Sequence, residues 1–531
     1  MSSQNNRAIP GYFKKTIPIL LAFSAYAAFL FAPPPIEFTR VAYFRASFVV
    51  MGALVLFLFA VWRQRSRFWE AASLALTLIF FSLAIVYKWQ VPVYDGNLIG
   101  GLLPWSDANS YFTCGYQVLI NGKINSLCTH RPIFALFWAF LYRLTGMDLR
   151  ISIAVLTAIN ALAVHFASVE IRRAYHSLSA AIFTVFGFIY YYIYAGAVLT
   201  ENIGFALGTL SVACLVRGAN QKDEKIFGLG MFLMSLGLNA RAGAFFILPV
   251  LLIWFVLKFR DRRPAWVIST IGLCAICLPF VINFMFLKSL SQPGAVLFSN
   301  YAHTFYGLAS GNKGWTQILI DHPGVPESDY PTLAIEKFKE NPAMLLRGIL
   351  GAYGDYFKPI GAFSYLAGPF SIPKTAIFWL AFGASLYAAW IRRKAGVFSL
   401  LLFGFAGIFL SVGLLPPIDA DVRVYAATIS MTNLIFAAGV VTFVGIPEKF
   451  SDSETREISY FQALLVPYAL LLILSIAAGP WLVRSTLAHS KSLNPPVVCE
   501  QGQYGLAMVV EEFDSHDWQL RRNVSPQCQR G

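Results

Sequence analysis

The stretch AFFILPVLLIWFVL (residues 244–257), the basic cluster KFRDRR (258–263) and the apolar run WVISTIGLCAICLPFVINFMFL (266–287) together decide the fold class. Neither apolar run carries a charged side chain, and the second is long enough for the roughly 20 residues that a membrane-crossing helix needs. Lys258, Arg260, Arg262 and Arg263 form the densest basic cluster in the chain. Such clusters stay on the cytoplasmic side of a membrane. The three pieces therefore read as two membrane helices joined by a cytoplasmic turn.

Composition extends this reading to the whole chain. Of 531 residues, 57% are hydrophobic and only 13% are charged, with 47 phenylalanines and a mean hydropathy of +0.61. A soluble core cannot absorb so much apolar surface. The net charge of +14 and pI near 9.4 could suggest nucleic acid, but the Lys and Arg residues sit in short clusters between apolar runs, where they orient helices. Nucleic acid is accordingly not expected as a partner.

Placing spans by length and testing them against the distribution of basic residues gives about thirteen. They fall at 16–32, 46–62, 69–87, 151–169, 180–198, 203–216, 226–238, 244–257, 266–287, 376–391, 397–415, 424–445 and 461–483. Arg7, Lys14 and Lys15 put the N-terminus in the cytoplasm. The first run ends in Pro33-Pro34-Pro35 rather than a small-residue cleavage site, so it reads as a retained span. The expected organisation is N-terminal membrane helices (1–87), a first large outer loop (88–150), membrane helices (151–287), a second large outer loop (288–374), C-terminal membrane helices (375–483) and an outer tail (484–531). Within the first loop, the short apolar segment 132–144 is read as a helix lying at or dipping into the outer leaflet. A crossing there would turn the later basic clusters outward. Helix-like sequence at 332–341 marks the second loop.

The cysteines fit that topology. Cys114 and Cys128 share the first outer loop, Cys499 and Cys528 share the tail, and Cys214, Cys274 and Cys277 fall in apolar spans. Two candidate disulfides in an oxidising exterior follow, although sequence alone does not fix connectivity.

Ionisable residues near a membrane are costly, so their positions are informative. Asp107, Glu201, Arg241, Asp355, Asp419, Asp421 and Arg423 gather at the outer ends of spans or in the loops above them. Asp107 stands in Trp105-Ser106-Asp107-Ala108-Asn109-Ser110-Tyr111, with His130-Arg131-Pro132 downstream. It suits a general base held among aromatics, or a helix cap together with Ser106. Glu201 closes an outward span after a tyrosine run; it suits an acceptor-positioning or metal-binding role, or an interfacial anchor. Arg241 interrupts apolar sequence at an outer turn, where a guanidinium matches a phosphate well. Arg423, in Asp419-Ala420-Asp421-Val422-Arg423-Val424-Tyr425, is either a second phosphate ligand, with Tyr425 as a wall of the cleft, or the local partner of Asp419 and Asp421. His303 and Tyr306, in the second loop, belong to a polar and aromatic mixture that suits sugar or phosphate. Phosphate-loop, zinc-protease and serine-hydrolase motifs are absent.

The order of these elements from about residue 69 to 444 resembles the GT-C membrane glycosyltransferases, in particular bacterial relatives of the protein mannosyltransferases and the lipid A aminoarabinose transferases. The likeness rests on the first-loop Asp107, the Arg131-Pro132 helix start, Thr200-Glu201, Arg241 and the Asp421-x-Arg423-x-Tyr425 entry to a late span. It implies an all-α polytopic protein of a bacterial plasma membrane with its C-terminus outside. It also implies transfer of a sugar from a polyprenyl-phosphate donor to a lipid, glycan or protein hydroxyl at the outer face. Asp107 would be the base, and Arg131, Arg241 and Arg423 would hold the lipid phosphate. A divalent metal, Mg or Mn, would sit between Asp107 and Glu201 if one is used. The chain departs from the protein mannosyltransferases in having an extra pair of spans before the first catalytic loop and Asp107-Ala108 in place of an Asp-Glu pair. The competing classes are a lipid-linked glycan ligase or polymerase, which would rely on basic residues of its large loop, and a transporter, which would need charged or broken helices at mid-membrane.

Overall fold

A computed structural model describes residues 13–45, 47–64, 66–91, 95–124, 126–291, 300–368, 371–419, 421–445 and 460–487. Cys499 and Cys528 lie outside these residues. The described chain is helical apart from one two-stranded antiparallel hairpin, Leu98–Ile99 with Leu103–Pro104.

The first third comprises α1 (Phe13–Phe31), α2 (Ile36–Thr39), α3 (Phe48–Arg63), α4 (Arg67–Gln90), α5 (Asp107–Asn121), α6 (Ser126–Thr129) and α7 (Pro132–Leu144). The middle is α8 (Leu149–Ala174), α9 (Ser177–Tyr194), α10 (Thr200–Gln221), α11 (Glu224–Ala240), α12 (Ile247–Phe259) and α13 (Ala265–Leu290). Then come α14 (Tyr301–Ala309), α15 (Gln317–Asp321), α16 (Tyr330–Glu340), α17 (Pro342–Phe357) and α18 (Ser364–Ala367). The chain finishes with α19 (Ile372–Ile391), α20 (Gly396–Val412), α21 (Ile429–Val444) and α22 (Tyr460–Leu487).

Local chemistry sets the helix ends. The Asp148 carboxylate accepts from Ile151 N at 2.9 Å to open α8. Asp223 accepts from Lys225 N and Ile226 N at 2.9 and 3.1 Å to open α11. Each satisfies amide groups that a helix start leaves without an internal partner.

Among the described residues, seven helices are long and apolar enough to cross a membrane, or eight if the pair 17–31 and 36–42, bent by 113°, is one span. The chain is thus an all-α membrane protein. The remaining expected spans, α3, α11, α12, α20 and α21, are helices of 13 to 17 residues. At the centre stands α10, buried along almost its whole length by α8, α11, α20 and α21. Outer helices carry exposed apolar residues such as Leu20, Val49, Trp266, Leu380 and Leu474, as lipid-facing surfaces do.

Three expectations are refined. Segment 132–144 is helical and packed inside the protein: Ile133 to Ala139 are all at most 2% exposed, covered by α5, α13 and α22. The second loop is helical well beyond the patch expected at 332–341, which corresponds to α16. Helices α14 to α17 pack together, and Tyr306, Ile318, Tyr330 and Ala334 form a small core of their own. The span expected to start at 424 starts at Ile429, because Asp421–Tyr425 is wound as a 3-10 turn. Elsewhere, Ile124 N donates to Leu290 O at 2.8 Å and ties the first loop to the end of α13.

Candidate functional site

The site begins at the N-terminus of α10. Between α9 and α10 the chain turns through residues 195–199, and Asn202 Nδ2 holds the turn by donating to Tyr194 O at 3.1 Å and Ala197 O at 2.8 Å. Glu201 is thereby fixed in the first turn of α10, with 0% of its side chain exposed. A carboxylate there complements the positive end of the helix. Its Oε2 accepts from Thr200 Oγ1 at 3.1 Å. Its Oε1 receives two guanidinium groups, Arg423 Nε at 2.5 Å and Arg241 at 3.4 Å.

Close backbone approach brings those arginines in. Arg241 follows α11 in an extended conformation and crosses α10 above Gly204, where a Cβ would come within 2.8 Å of Arg241 Cβ. One turn further on, Gly208 meets the carbonyl of Ala427 so closely that no side chain fits. These two glycines let the segments bearing Arg241 and Arg423 press onto one face of α10. Arg241 Nε also donates to Arg423 O at 3.4 Å and stitches the segments together.

The first loop completes the constellation. After the hairpin, Ser106 adopts φ 51° and turns the chain so that Asp107 opens α5. Ser106 makes no capping bond. The Asp107 carboxylate instead accepts from an Arg423 terminal nitrogen at 2.9 Å, its side chain 55% exposed. Arg423 thus bridges a buried carboxylate and an open one. Its expected local partner, Asp421, forms no ion pair with it among the described residues. Asp421 has φ 49°, and burial raises its carboxyl above the ordinary range, with Arg423 opposing.

Cys114 and Cys128 are joined in a disulfide with Cα atoms 6.2 Å apart, which anchors α5 to the turn that carries Arg131. One Arg131 nitrogen donates to Tyr111 Oη at 3.0 Å. Among the described residues Arg131 forms no ion pair, yet its charge acts on both Glu201 and Arg241. Three guanidinium groups therefore gather around the carboxylates of Glu201 and Asp107, with the Asp421 carboxyl also within electrostatic reach of Arg423.

The arginines respond differently to this field. Burial, then the charges of Arg131 and Arg423, pushes Arg241 down, with Glu201 opposing. Glu201, joined by Asp107, holds Arg423 above its ordinary value against burial. Both stay cationic at any working pH.

Five other expected site residues have different surroundings. Tyr425 is buried; its hydroxyl donates to Leu415 O at 3.0 Å and its ring packs against Tyr356, so it supports the turn from beneath. Tyr306 belongs to the core of the helical cap, bonded to Asp321 at 2.8 Å and to His322 at 3.2 Å. His303 packs between Trp315 and Tyr330, and its charge, like that of Glu327, acts on His130. Trp105 is half-buried at the foot of the hairpin, its amide donating to Asn97 O at 2.8 Å. Asp355 is committed to Asn312 and Lys358, each at 2.6 Å.

The pair Asp107 and Glu201 does not fit a divalent cation. Arg423 stands between the carboxylates, and no group of three or more His, Cys, Asp or Glu among the described residues is arranged to hold a metal. Sequence reasoning did not single out Gly204, Gly208 or Asn202. The signal available was weak: a small-residue spacing of four, Gly204 to Gly208, that permits close helix contact.

No protein-family model matches the chain, and no curated protein matches it.

Proposed function

We propose that the protein transfers a sugar from a polyprenyl-phosphate donor to a hydroxyl acceptor at the outer face of a membrane. The observation that carries this reading is the cluster itself. Arg131, Arg241 and Arg423 gather around Glu201 and Asp107, a concentration of guanidinium groups that suits a phosphodiester. Cations are disfavoured at outer helix ends, and a polar group so placed points to a ligand. The Cys114–Cys128 bond lies in the same loop as Asp107, and structural disulfides form in oxidising compartments. It supports an outer location for the site.

In the transfer, the bond between the sugar C1 and the donor phosphate oxygen breaks, and its electron pair stays on the phosphate. The acceptor oxygen bonds to C1, and the acceptor proton passes to Asp107. Arg131, Arg241 and Arg423 stabilise the charge that gathers on the departing phosphate. Asp107, open to solvent on one side, is the carboxylate an acceptor reaches; Glu201, wholly enclosed, is a positioning residue that fixes two arginines. Transfer leaves the net charge unchanged, since the departing phosphate gains one negative charge as Asp107 gains one proton.

The wider reading is a GT-C-like bundle of about thirteen spans, N-terminus cytoplasmic and C-terminus outside, in a bacterial plasma membrane, akin to the protein mannosyltransferase and aminoarabinose transferase types. The acceptor is a lipid, glycan or protein. Mass spectrometry of lipid extracts from a strain lacking the protein tests it. Accumulation of a sugar-charged polyprenyl phosphate, reversed by the wild-type chain and not by Asp107→Asn, is the expected result. An unchanged lipid profile would overturn the reading.

A further inference from the structure

We propose that Asp107 and the donor phosphate compete for the same edge of Arg423, so that donor binding itself releases the base. The inference rests on the glycosyl-transfer reading above and adds a coupling to it. Arg423 has two carboxylate partners of opposite character. Glu201 is enclosed and receives Nε at 2.5 Å. Asp107 is 55% exposed and receives a terminal nitrogen at 2.9 Å. Only the second contact can exchange, because exposed ion pairs are weak, whereas parting Glu201 from its arginines strands buried charge.

The edge that Asp107 occupies is also the outward edge, where a planar guanidinium offers parallel donors to a phosphate. Arg131, bonded only to the neutral Tyr111 among the groups described, adds a positive charge that draws an anion toward that edge. While Asp107 holds Arg423, one of its oxygens is engaged and the phosphate edge is covered. When a phosphate takes the edge, the carboxylate is freed beside the acceptor's approach, and the acceptor proton then passes to it in the step written above. Backbone strain brackets the contact: Ser106, directly before Asp107, has φ 51°, and Asp421, in the turn of Arg423, has φ 49°. Non-glycine residues with such angles concentrate at switching sites. Without a donor the site closes on itself, so the base is not presented to water or to a stray hydroxyl.

The test is binding of farnesyl phosphate, with farnesol as the phosphate-free control, to the full-length protein in detergent. Wild type, Asp107→Asn, Asp107→Ser, Asp421→Asn and Arg131→Ala are compared at one pH and salt. Asp421 is the control because its charge acts on Arg423 without bonding to it, so it reports mere removal of nearby negative charge. Both Asp107 variants should bind farnesyl phosphate about five- to tenfold more tightly than wild type. Asp421→Asn should stay within about twofold, and farnesol should show no difference between variants. Equal or weaker binding by both Asp107 variants, with wild-type binding that depends on Arg131, overturns the competition alone. An equal gain from Asp421→Asn also overturns it, since the effect would then be general electrostatics. If no variant distinguishes farnesyl phosphate from farnesol, the glycosyl-transfer reading fails and the competition falls with it.

Discussion

Helix α10 carries an arginine–carboxylate cluster near each end, and the two are built differently. At its C-terminal end, the inner one on the topology proposed above, Arg217 reaches Glu170 at 4.0 Å while the neighbouring Arg172 reaches Glu70 at 3.6 Å. Arg172 also donates to Trp62 O and Gln64 O, both at 3.2 Å, and so closes the last turn of α3. There each arginine ties one helix end to another. At the outer end one carboxylate oxygen is shared by two guanidinium groups, a third arginine stands nearby, and the contacts shorten to 2.5 Å. The inner cluster looks like fastening. The outer one gathers two guanidinium groups on a single carboxylate oxygen, and on the reading proposed above it receives an anion.

The largest expected effect comes from removing the shared partner. Glu201→Ala leaves the buried Arg241 without its carboxylate beside the half-buried Arg423 and should cost about 3–5 kcal/mol of stability, read as a loss of folded protein in thermal denaturation. If Glu201→Ala melts like wild type, the outer cluster is not organised around that residue. Next is Asp107→Asn, which should keep the fold and lower sugar transfer by at least about a hundredfold; full turnover in the purified variant would remove the base. Arg131→Ala should weaken prenyl-phosphate affinity by about ten- to a hundredfold with an unchanged melting temperature. A melting loss without an affinity loss would make Arg131 a fastener like those at the inner end.

From the other side, Arg172→Ala should cost about 1 kcal/mol of stability and leave prenyl-phosphate binding untouched. A binding defect there would erase the distinction between the ends. The smallest effect concerns pH. Burial holds the His130 and His303 imidazoles below their ordinary value, against the pull of Glu327. As pH falls through about 6.5, the unfolded chain takes up these protons first. The stability that the neutral imidazoles allow is present above that value and declines below it. Between pH 7.5 and 5.5 the melting temperature should drop by about 1–3 °C, and His303→Phe should reduce the drop. An identical pH response in that variant would exclude His303 from the effect.

Much of the helical framework was readable in the chain because apolar length is a local property, and each run expected to span is helical. Its refinements were not. Segment 132–144 has the same apolar signature whether lipid or protein covers it, so its burial under α5, α13 and α22 had no local sign. The site was legible as an inventory and illegible as a pairing. Asp421 is the acid nearest Arg423 in the sequence that favours pairing with it, but the real partners lie 222 and 316 positions away. Only the 3-10 turn and the two glycines of α10 decide that. Tyr306, His303 and Tyr425 stand apart from the arginine cluster: tertiary packing placed Tyr306 at a separate cavity with Asp321 and His322, His303 against Trp315 and Tyr330, and Tyr425 beneath the 3-10 turn.

The bond between Cys114 and Cys128 bears on the order in which the chain is made. Asp107 leaves the ribosome 316 residues ahead of Arg423, a gap of roughly 15–60 seconds at ordinary synthesis rates of about 5–20 residues per second. For that interval half of the site exists without the other half. A covalent clasp closed early keeps the acidic residue and Arg131 in register until the late segment arrives. Chains lacking the clasp should mature more slowly and lose more of their number to proteolysis, with the finished molecules little impaired. A pulse-chase comparison of Cys114→Ser with wild type measures that delay, and equal maturation rates would show that the clasp matters only after assembly.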